Sequence, residues 1–202
     1  MIKICGITNI DDATAACEYG ADAIGFIFSP SPRRVSANEA RRITSRLPAG
    51  PLKTGIFTDR KLAEVQAIIE DCGLDCVQLH GYEDSVYCEQ LEPKVIKAFR
   101  VENDDILKHL PRYHTFAFLL DSYSPIYPGG TGRTFNWEIA IRAKRYGRII
   151  LSGGLTPDNV LDAITRVRPY GVDTCSGVES SPGRKNLKKM QDFIAIAKGA
   201  MK

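Results

Sequence analysis

Two glycine-containing loops near the C-terminal end of this 202-residue chain have the composition of phosphate-binding loops. The first reads LSGGL at 151–155, and the second reads DTCSGVE at 173–179. Backbone N–H groups that no Cβ obstructs can surround a phosphate, and a helix N-terminus adds a favourable dipole. Glycines also occur simply where strands turn tightly. Because two such loops follow the last two predicted strands, phosphate binding is the favoured interpretation.

A cysteine, an aspartate and two arginines lie near the ends of apolar runs. Cys5 ends the first run, although a buried cysteine is usually only a small hydrophobic residue. Asp121 closes the run 116–120, where an ionised carboxylate is costly to bury, but it could also merely cap the following loop. Arg33 and Arg34 could bind a carboxylate or form a solvated basic turn. Position alone leaves these alternatives open.

The elements that must position these residues alternate along the whole chain. Short runs rich in Val, Ile and Phe alternate with stretches of helical period, a pattern typical of parallel βαβ units. The predicted strands are 2–6, 23–28, 52–58, 76–81, 95–101, 115–121, 148–154 and 171–177. The predicted helices are 11–19, 37–47, 62–72, 137–145, 157–168 and 187–198, and the connection 102–110 is expected to form only one or two turns.

Eight strands with crossovers can close into a (β/α)8 barrel or form an open doubly wound sheet. The even spacing, about 25 residues per unit, favours the barrel. No Gly-x-Gly-x-x-Gly follows the first strand, as a dinucleotide-binding open sheet would usually show. A length of 202 residues suits one substantial core. We therefore predict an α/β fold, a TIM barrel forming one domain over residues 1–202.

In such a barrel the chemistry takes place at the C-terminal ends of the strands. Gln78 and His80 end the fourth predicted strand, and Asp173 lies in the eighth. The segment 121–136 after the sixth strand is long and includes GGTG at 129–132. Because long loops are often functional, this segment, with Gly130 at its centre, could cover a substrate.

The composition excludes several classes of protein. Hydrophobic residues make up 44% and charged residues 25% of the chain, as in ordinary globular proteins. The net charge of +3 gives no reason to expect nucleic acid or a membrane surface as partner. The start of the chain has no signal-peptide pattern, so we expect a cytoplasmic protein. The six cysteines are interpreted as thiols, and their spacing predicts no metal site.

Several motifs together resemble one family. They are KICGIT at 3–8, GADAIGF at 20–26, VQLHG at 77–81, LD at 120–121 with GGTG at 129–132, LSGGL at 151–155 and SGVE at 176–179. In this order they resemble the phosphoribosylanthranilate isomerase family, over essentially the whole chain. The resemblance implies a cytosolic (β/α)8 enzyme of tryptophan biosynthesis that uses no cofactor and acts on a phosphorylated aminosugar. Neither nucleic acid nor membrane is implied as a partner, and a monomer or a homodimer is expected.

The resemblance also implies a reaction, the Amadori rearrangement of N-(5-phosphoribosyl)anthranilate to 1-(2-carboxyphenylamino)-1-deoxyribulose 5-phosphate. An acid protonates the furanose ring oxygen so that the ring opens to a Schiff base, and a base removes the proton from C2. Cys5 matches the general base of the family and Asp121 its general acid. Cys5 must then lose its proton while Asp121 keeps one, the reverse of the order of a free thiol and a free carboxylic acid.

Further roles follow from the same resemblance. Arg33 matches the arginine that binds the anthranilate carboxylate, whereas Arg34 stands where an aromatic residue is common and takes the role only if the loop shifts register. Cys175 stands where serine is usual. The phosphate is expected on the loops after strands seven and eight, and other residues are expected to shape the site. These two groups are Gly153, Gly154, Cys175, Ser176 and Gly177, and Gln78, His80, Gly130 and Asp173.

Two other functions are compatible with a phosphate-binding barrel. A neighbouring isomerase of histidine biosynthesis uses two aspartates, and Cys5 at the end of strand one argues against it. A barrel that only binds a phosphorylated ligand would not need both Cys5 and Asp121.

Overall fold

A computed structural model of the chain describes residues 1–122 and 135–201, and these residues contain a closed barrel of eight parallel strands in sequential order, β1 to β8. Pairing of β1 with β8 closes the barrel. The strands are β1 Ile2–Ile4, β2 Ala23–Ile27, β3 Leu52–Phe57, β4 Cys76–Leu79, β5 Lys94–Val101, β6 Ala117–Ser122, β7 Ile149–Leu151 and β8 Gly171–Thr174. The predicted TIM barrel is thus confirmed.

Helices surround the strands, and polar side chains cap several of them. Asn9 accepts a hydrogen bond from the backbone of Asp12, and Ser36 and Glu39 form a reciprocal capping box. The helices are α1 Ile10–Tyr19, α2 Ala37–Thr44, α3 Leu62–Cys72, α4 Ser85–Glu89, α5 Trp137–Ala143, α6 Val160–Val167 and α7 Leu187–Ala200. The connection after β5 contains the short 3₁₀ segments Asp104–Lys108 and Leu110–Arg112, as its weak helical pattern predicts.

Two elements of the structure were not predicted from the sequence. Helix α4 has only five residues, too few for its period to be recognised. A hairpin of β9, Glu179–Ser181, and β10, Arg184–Lys185, precedes α7. This hairpin returns the chain to the mouth of the barrel, where Lys185 donates to the backbone oxygen of Cys5 (2.6 Å).

Several strands end earlier than predicted. The runs 2–6, 76–81, 148–154 and 171–177 overshoot β1, β4, β7 and β8 by two or three residues. At β7 the cause is the backbone of Gly153 and Gly154, whose φ angles of 85° and 68° are incompatible with a strand. The excess residues leave the sheet and line the mouth of the barrel instead.

The core has an outer and an inner part. Alternate strand residues such as Ile2 and Ile4 pack outwards against the helices in the larger cluster. Six residues form a smaller apolar cluster inside the barrel, namely Cys76, Ile96, Ala98, Ala117, Leu119 and Ile150. Among the described residues, no helix has the length and apolar character needed to cross a membrane.

Candidate active site

A cavity of about 360 Å³ opens at the C-terminal ends of the strands. Most residues singled out in the sequence line it. They are Cys5, Arg33, Gln78, His80, Asp121, Gly153, Gly154, Asp173, Cys175, Ser176 and Gly177. Arg34 is exposed and does not line the cavity, and Gly130 lies outside the described residues. The strand ends therefore bring residues from the whole length of the chain to one place.

Cys5 follows β1 and its backbone N–H donates to Thr174 O of the adjacent strand (2.9 Å). A hydrogen bond from the Cys175 side chain, helped by the charges of Lys3 and Lys185, lowers the pKa of Cys5 to about 7. Burial and the negative charge of Asp173 oppose this change. Cys5 is consequently poised to ionise near neutral pH, unlike a free thiol.

Asp121 lies near the end of β6 and is only 7% exposed. Burial, together with the charge of Asp173, raises the pKa of Asp121 to about 6. The backbone N–H of Ser122, 2.9 Å from Asp121 Oδ1, and the cation of Arg100 work in the opposite direction. A substantial fraction of Asp121 therefore retains its proton at pH values where a free aspartic acid is ionised.

His80 lies beside Asp121, with Nε2 3.7 Å from Asp121 Oδ2. Loss of hydration and the cation of Arg100 lower the pKa of His80 to about 3, so the ring is neutral at pH 7. With Gln78 Nε2 as donor to His80 Nδ1 (3.3 Å), the ring carries its proton on Nε2, towards Asp121. Among the described residues, Gln78 Oε1 and His80 Nε2 are buried without a hydrogen-bond partner, and both are available to a ligand.

In the loops after β7 and β8, glycines lie very close to backbone atoms of neighbouring segments. A Cβ on Gly177 would collide with the carbonyl oxygen of Leu155, and one on Gly153 would collide with the backbone nitrogen of Ser122. Thr174 Oγ1 donates to Leu155 O (2.7 Å), which fixes the two loops to each other. Both loops thus require glycine and can present backbone N–H groups to an anion.

Asp173 connects these loops to the barrel interior. Its Oδ1 accepts from the buried ammonium of Lys3 (2.7 Å) and its Oδ2 from the hydroxyl of Ser152 (2.9 Å). Lys3 and Asp173 are paired residues of β1 and β8. The pair places one positive and one negative charge near Cys5 and keeps both buried charges compensated.

Arg33 is half-buried in the cavity wall and is bound by Glu179. Its Nε lies 2.9 and 3.0 Å from the two carboxylate oxygens, and its Nη2 lies 2.7 Å from Oε2. The remaining nitrogen, Nη1, has no hydrogen bond to the described residues. Arg100 also lines the cavity and makes no hydrogen bond or ion pair with the described part of the chain. Two guanidinium groups can therefore meet a substrate anion.

No role was predicted from the sequence for Lys3, Lys185, Glu179 or Arg100. Lys3 had one signal, since it is a charged residue between Ile2 and Ile4 in an otherwise apolar strand. Arg100 is the last but one residue of β5 and is paired in register with Asp121, and its position near the end of an apolar run could have marked it as a site residue. No three His, Cys, Asp or Glu side chains of residues 1–122 and 135–201 are grouped as metal ligands.

Comparison with known proteins identifies a family and relatives to which this chain is similar. The family model described as N-(5'-phosphoribosyl)anthranilate isomerase matches residues 2–196. The N-(5'-phosphoribosyl)anthranilate isomerase of Geobacter sp. strain M21 is 50% identical over 198 residues, which are 98% of this chain and 97% of the relative.

Two solved structures are similar in fold and sequence. One is a phosphoribosyl anthranilate isomerase in complex with reduced 1-(o-carboxyphenylamino)-1-deoxyribulose 5-phosphate, with a TM-score of 0.89 and 38% identity. The other shows monomers generated from the dimeric phosphoribosylanthranilate isomerase of Thermotoga maritima, also with a TM-score of 0.89 and 38% identity. In both comparisons the match covers 98% of each chain.

Proposed function

Because the chain belongs to the N-(5'-phosphoribosyl)anthranilate isomerase family, we propose that Cys5 and Asp121 are the base and the acid of its reaction. The chain is an enzyme of tryptophan biosynthesis that isomerises N-(5'-phosphoribosyl)anthranilate to 1-(2-carboxyphenylamino)-1-deoxyribulose 5-phosphate. The observation that carries the proposal is the pair of opposite pKa changes in one cavity. The pKa of Cys5 is lowered to about 7 and that of Asp121 is raised to about 6.

The two groups act in sequence on the sugar. Asp121 gives its proton to the furanose ring oxygen as the C1–O bond breaks, and the nitrogen lone pair forms the C1=N bond of a Schiff base. The Cys5 thiolate then removes the proton from C2, the C–H electrons form the C1=C2 bond of an enolamine, and the π electrons of the C1=N bond return to the nitrogen. In the tautomerisation of the enolamine, C1 gains a proton and the hydroxyl on C2 loses one, which gives the ketone without a net change in protons. Neither side chain forms a covalent bond to the substrate.

The neighbours of Asp121 assist its change of charge. Once Asp121 has given up its proton, the Nε2–H of the neutral His80 and the cation of Arg100 face the new carboxylate. The substrate adds two negative groups, a phosphate and a carboxylate, and their charge raises the pKa of Asp121 further. Catalysis requires a Cys5 thiolate beside a protonated Asp121. The pKa values of the two groups in the free protein approach this state, and the negative charge of the substrate favours the protonated form of Asp121.

The substrate anions have complementary sites in the cavity. We assign the phosphate to the backbone of Gly153, Gly154 and residues 175–177, with Asp173 holding the two loops in place. We assign the anthranilate carboxylate to Arg33, whose Nη1 is available while Glu179 fixes the rest of the guanidinium. The cytoplasmic location and the choice between a monomer and a homodimer stay predictions.

A turnover assay tests this proposal. With enzymatically generated phosphoribosylanthranilate, the purified protein should remove anthranilate fluorescence faster than spontaneous hydrolysis does, with the ketoamine as product. Cys5→Ala and Asp121→Asn should each lower kcat by about 10² to 10⁴-fold, since each removes one proton-transfer group. Cys72→Ala, which removes a buried thiol outside the cavity, should turn over normally. Normal turnover in either site variant would remove that residue from the acid–base pair.

A further inference from the structure

A buried lysine lies where the segments after β1 and β8 meet the hairpin of β9 and β10. Lys185 belongs to β10, and its side chain is completely buried. Its ammonium donates to the backbone oxygens of Cys5 (2.6 Å) and Cys175 (3.1 Å) and to Oε1 of Glu179 (3.1 Å). A lysine ammonium has three N–H donors, so these three acceptors satisfy all of them.

Each acceptor belongs to a part of the site with its own proposed contact to the substrate. Cys5 is the proposed base, and the backbone of Cys175 belongs to the proposed phosphate loop. Glu179 binds Nε and Nη2 of Arg33, the proposed carboxylate site, through both of its oxygens. One ammonium thus connects the groups that meet the C2 proton, the phosphate and the carboxylate.

The backbone of the hairpin is held by other contacts. The N–H of Lys185 donates to Asp12 Oδ2 (2.9 Å), an oxygen that also accepts from Asn9 Nδ2 (2.7 Å) at the start of α1. Thr8 Oγ1 donates to the backbone oxygen of Gly183 in the turn between β9 and β10 (2.6 Å). The hairpin is therefore anchored to the segment after β1 by bonds that do not involve the ammonium.

We propose that Lys185 is a positioning residue, whose ammonium holds the base, the phosphate loop and, through Glu179, the carboxylate-binding Arg33 at one fixed spacing. The inference rests on the proposed roles of Cys5 and Arg33. Lys185 is not one of the described residues that line the cavity, and it acts only through the groups that it binds. Their spacing matters, because a misplacement of about 1 Å can slow a reaction about 10²-fold.

The charges of this cluster do not cancel. Arg33 and Lys185 supply two positive charges, and both pair with the single carboxylate of Glu179. The cluster therefore carries one excess positive charge next to Cys5, whose backbone oxygen accepts from the ammonium. An excess positive charge favours nearby anions, here the Cys5 thiolate and the substrate carboxylate.

Lys185→Met tests the proposal, because methionine is an unbranched side chain that fills buried space without the ammonium. Glu179 keeps its bonds to Arg33 in this variant, so no buried carboxylate is left unpaired and the fold should persist. We expect kcat to fall about tenfold to 100-fold, since the base loses its backbone anchor and a neighbouring cation. KM should rise several-fold, since Arg33 loses its fixed orientation.

Two further variants accompany this one. Lys144→Met is the matched control, because Lys144 also donates to a backbone oxygen, that of Val167 (2.7 Å), but does so away from the cavity. It should turn over normally. Lys185→Gln keeps two N–H donors on a neutral amide and should show the same changes at a smaller size. Thermal unfolding shows whether each variant is folded, and Lys185→Gln carries the test if Lys185→Met is not.

Double variants separate positioning from a general loss of structure. The rise in KM caused by Lys185→Met should disappear in an Arg33→Ala background, because the orientation of an absent guanidinium no longer matters. The fall in kcat should persist there and should disappear in a Cys5→Ala background. A merely structural role of Lys185 would lower kcat/KM equally in all backgrounds, and that result would overturn the proposal. Unchanged kinetics of the folded Lys185→Met variant would overturn it too.

The same measurements distinguish this inference from the proposed function. If Cys5→Ala and Arg33→Ala are impaired as expected while Lys185→Met behaves like the wild type, only the role of Lys185 falls. Normal turnover of Cys5→Ala would instead refute Cys5 as the base, and the role of Lys185 would fall with it.

Discussion

Burial destabilises the ionised form of Asp121. The same burial raises the pKa of the carboxyl, which favours its proposed role as the acid. Its pKa is about 6 in the folded chain and about 3.9 in an unfolded one. Between these values the folded state binds more protons than the unfolded state, so the stability of the fold decreases as the pH rises through this interval. At pH 7 the stability of the fold is therefore lowered by the full free-energy cost of burying the ionised carboxyl of Asp121.

Replacing this carboxyl should therefore stabilise the protein while it slows catalysis. We expect Asp121→Asn to raise the free energy of unfolding at pH 7 by about 1–3 kcal/mol and to change it little at about pH 3.5, where the native carboxyl is protonated. Urea unfolding at both pH values measures this difference. Asp192→Asn, on the outer surface of α7, is the control. A larger gain at acidic pH would contradict the argument.

Arg33 and Arg34 are adjacent and differ in their access to the cavity. Arg33 lines it, whereas Arg34 is exposed outside it. Arg33→Ala should raise KM about tenfold or more, because a charge-assisted bond to the carboxylate is lost, and Arg34→Ala should leave KM unchanged. Steady-state kinetics on both variants provide the test. An effect confined to Arg34→Ala would move the carboxylate site by one residue.

Among single residues, the functional side chains at strand ends were predictable from the sequence. Those that reach the site through contacts between residues far apart in the sequence were not. Cys5 and Asp121 could be identified because the C-terminal ends of parallel strands meet on one face of the barrel. Lys185 could not, because it lies 180 residues from Cys5 and belongs to a hairpin without a recognisable pattern. The pKa changes depend on such contacts and are therefore not readable from the sequence.

Among the elements, the loops after β7 and β8 have the strictest geometry. A Cβ on Gly177 would collide with the backbone oxygen of Leu155, which no side-chain rotation can relieve. Gly177→Ala should shift the loop, so we expect a several-fold rise in KM and weaker competitive inhibition by inorganic phosphate. Gly199→Ala is the matched control, because a Cβ there meets open space on α7. Equal phosphate inhibition in the two variants would argue against the assigned phosphate site.

The elements themselves were predictable to different degrees. The eight strands follow from short apolar runs between helical segments, and their order in the barrel follows from right-handed crossovers. Their C-terminal ends were placed too late at β1, β4, β7 and β8, because each predicted run was extended to a glycine that lies beyond the strand, namely Gly6, Gly81, Gly154 and Gly177. The local sequence pattern thus predicts the position of a strand better than it predicts the C-terminal end of the strand, where the site residues lie.

For the molecule as a whole, barrel closure is the feature that assembles the site. Pairing of the first strand with the eighth joins the side chains of Lys3 and Asp173 and the backbones of Cys5 and Thr174. Asp121 reaches the same mouth from β6. We propose that the chain is a single domain of residues 1–202, since the described elements from Ile2–Ile4 to Leu187–Ala200 form the barrel and its surround. The acid–base pair therefore exists only in the closed barrel.

The most direct test of this account is the pH dependence of kcat/KM for the wild-type enzyme, corrected for spontaneous hydrolysis of the substrate. Activity requires ionised Cys5 and protonated Asp121 together, so kcat/KM should be maximal between about pH 6 and about pH 7. It should fall about tenfold per pH unit beyond either limit. A kcat/KM that stays constant from about pH 5 to about pH 9 would contradict the assignment of these two residues as base and acid.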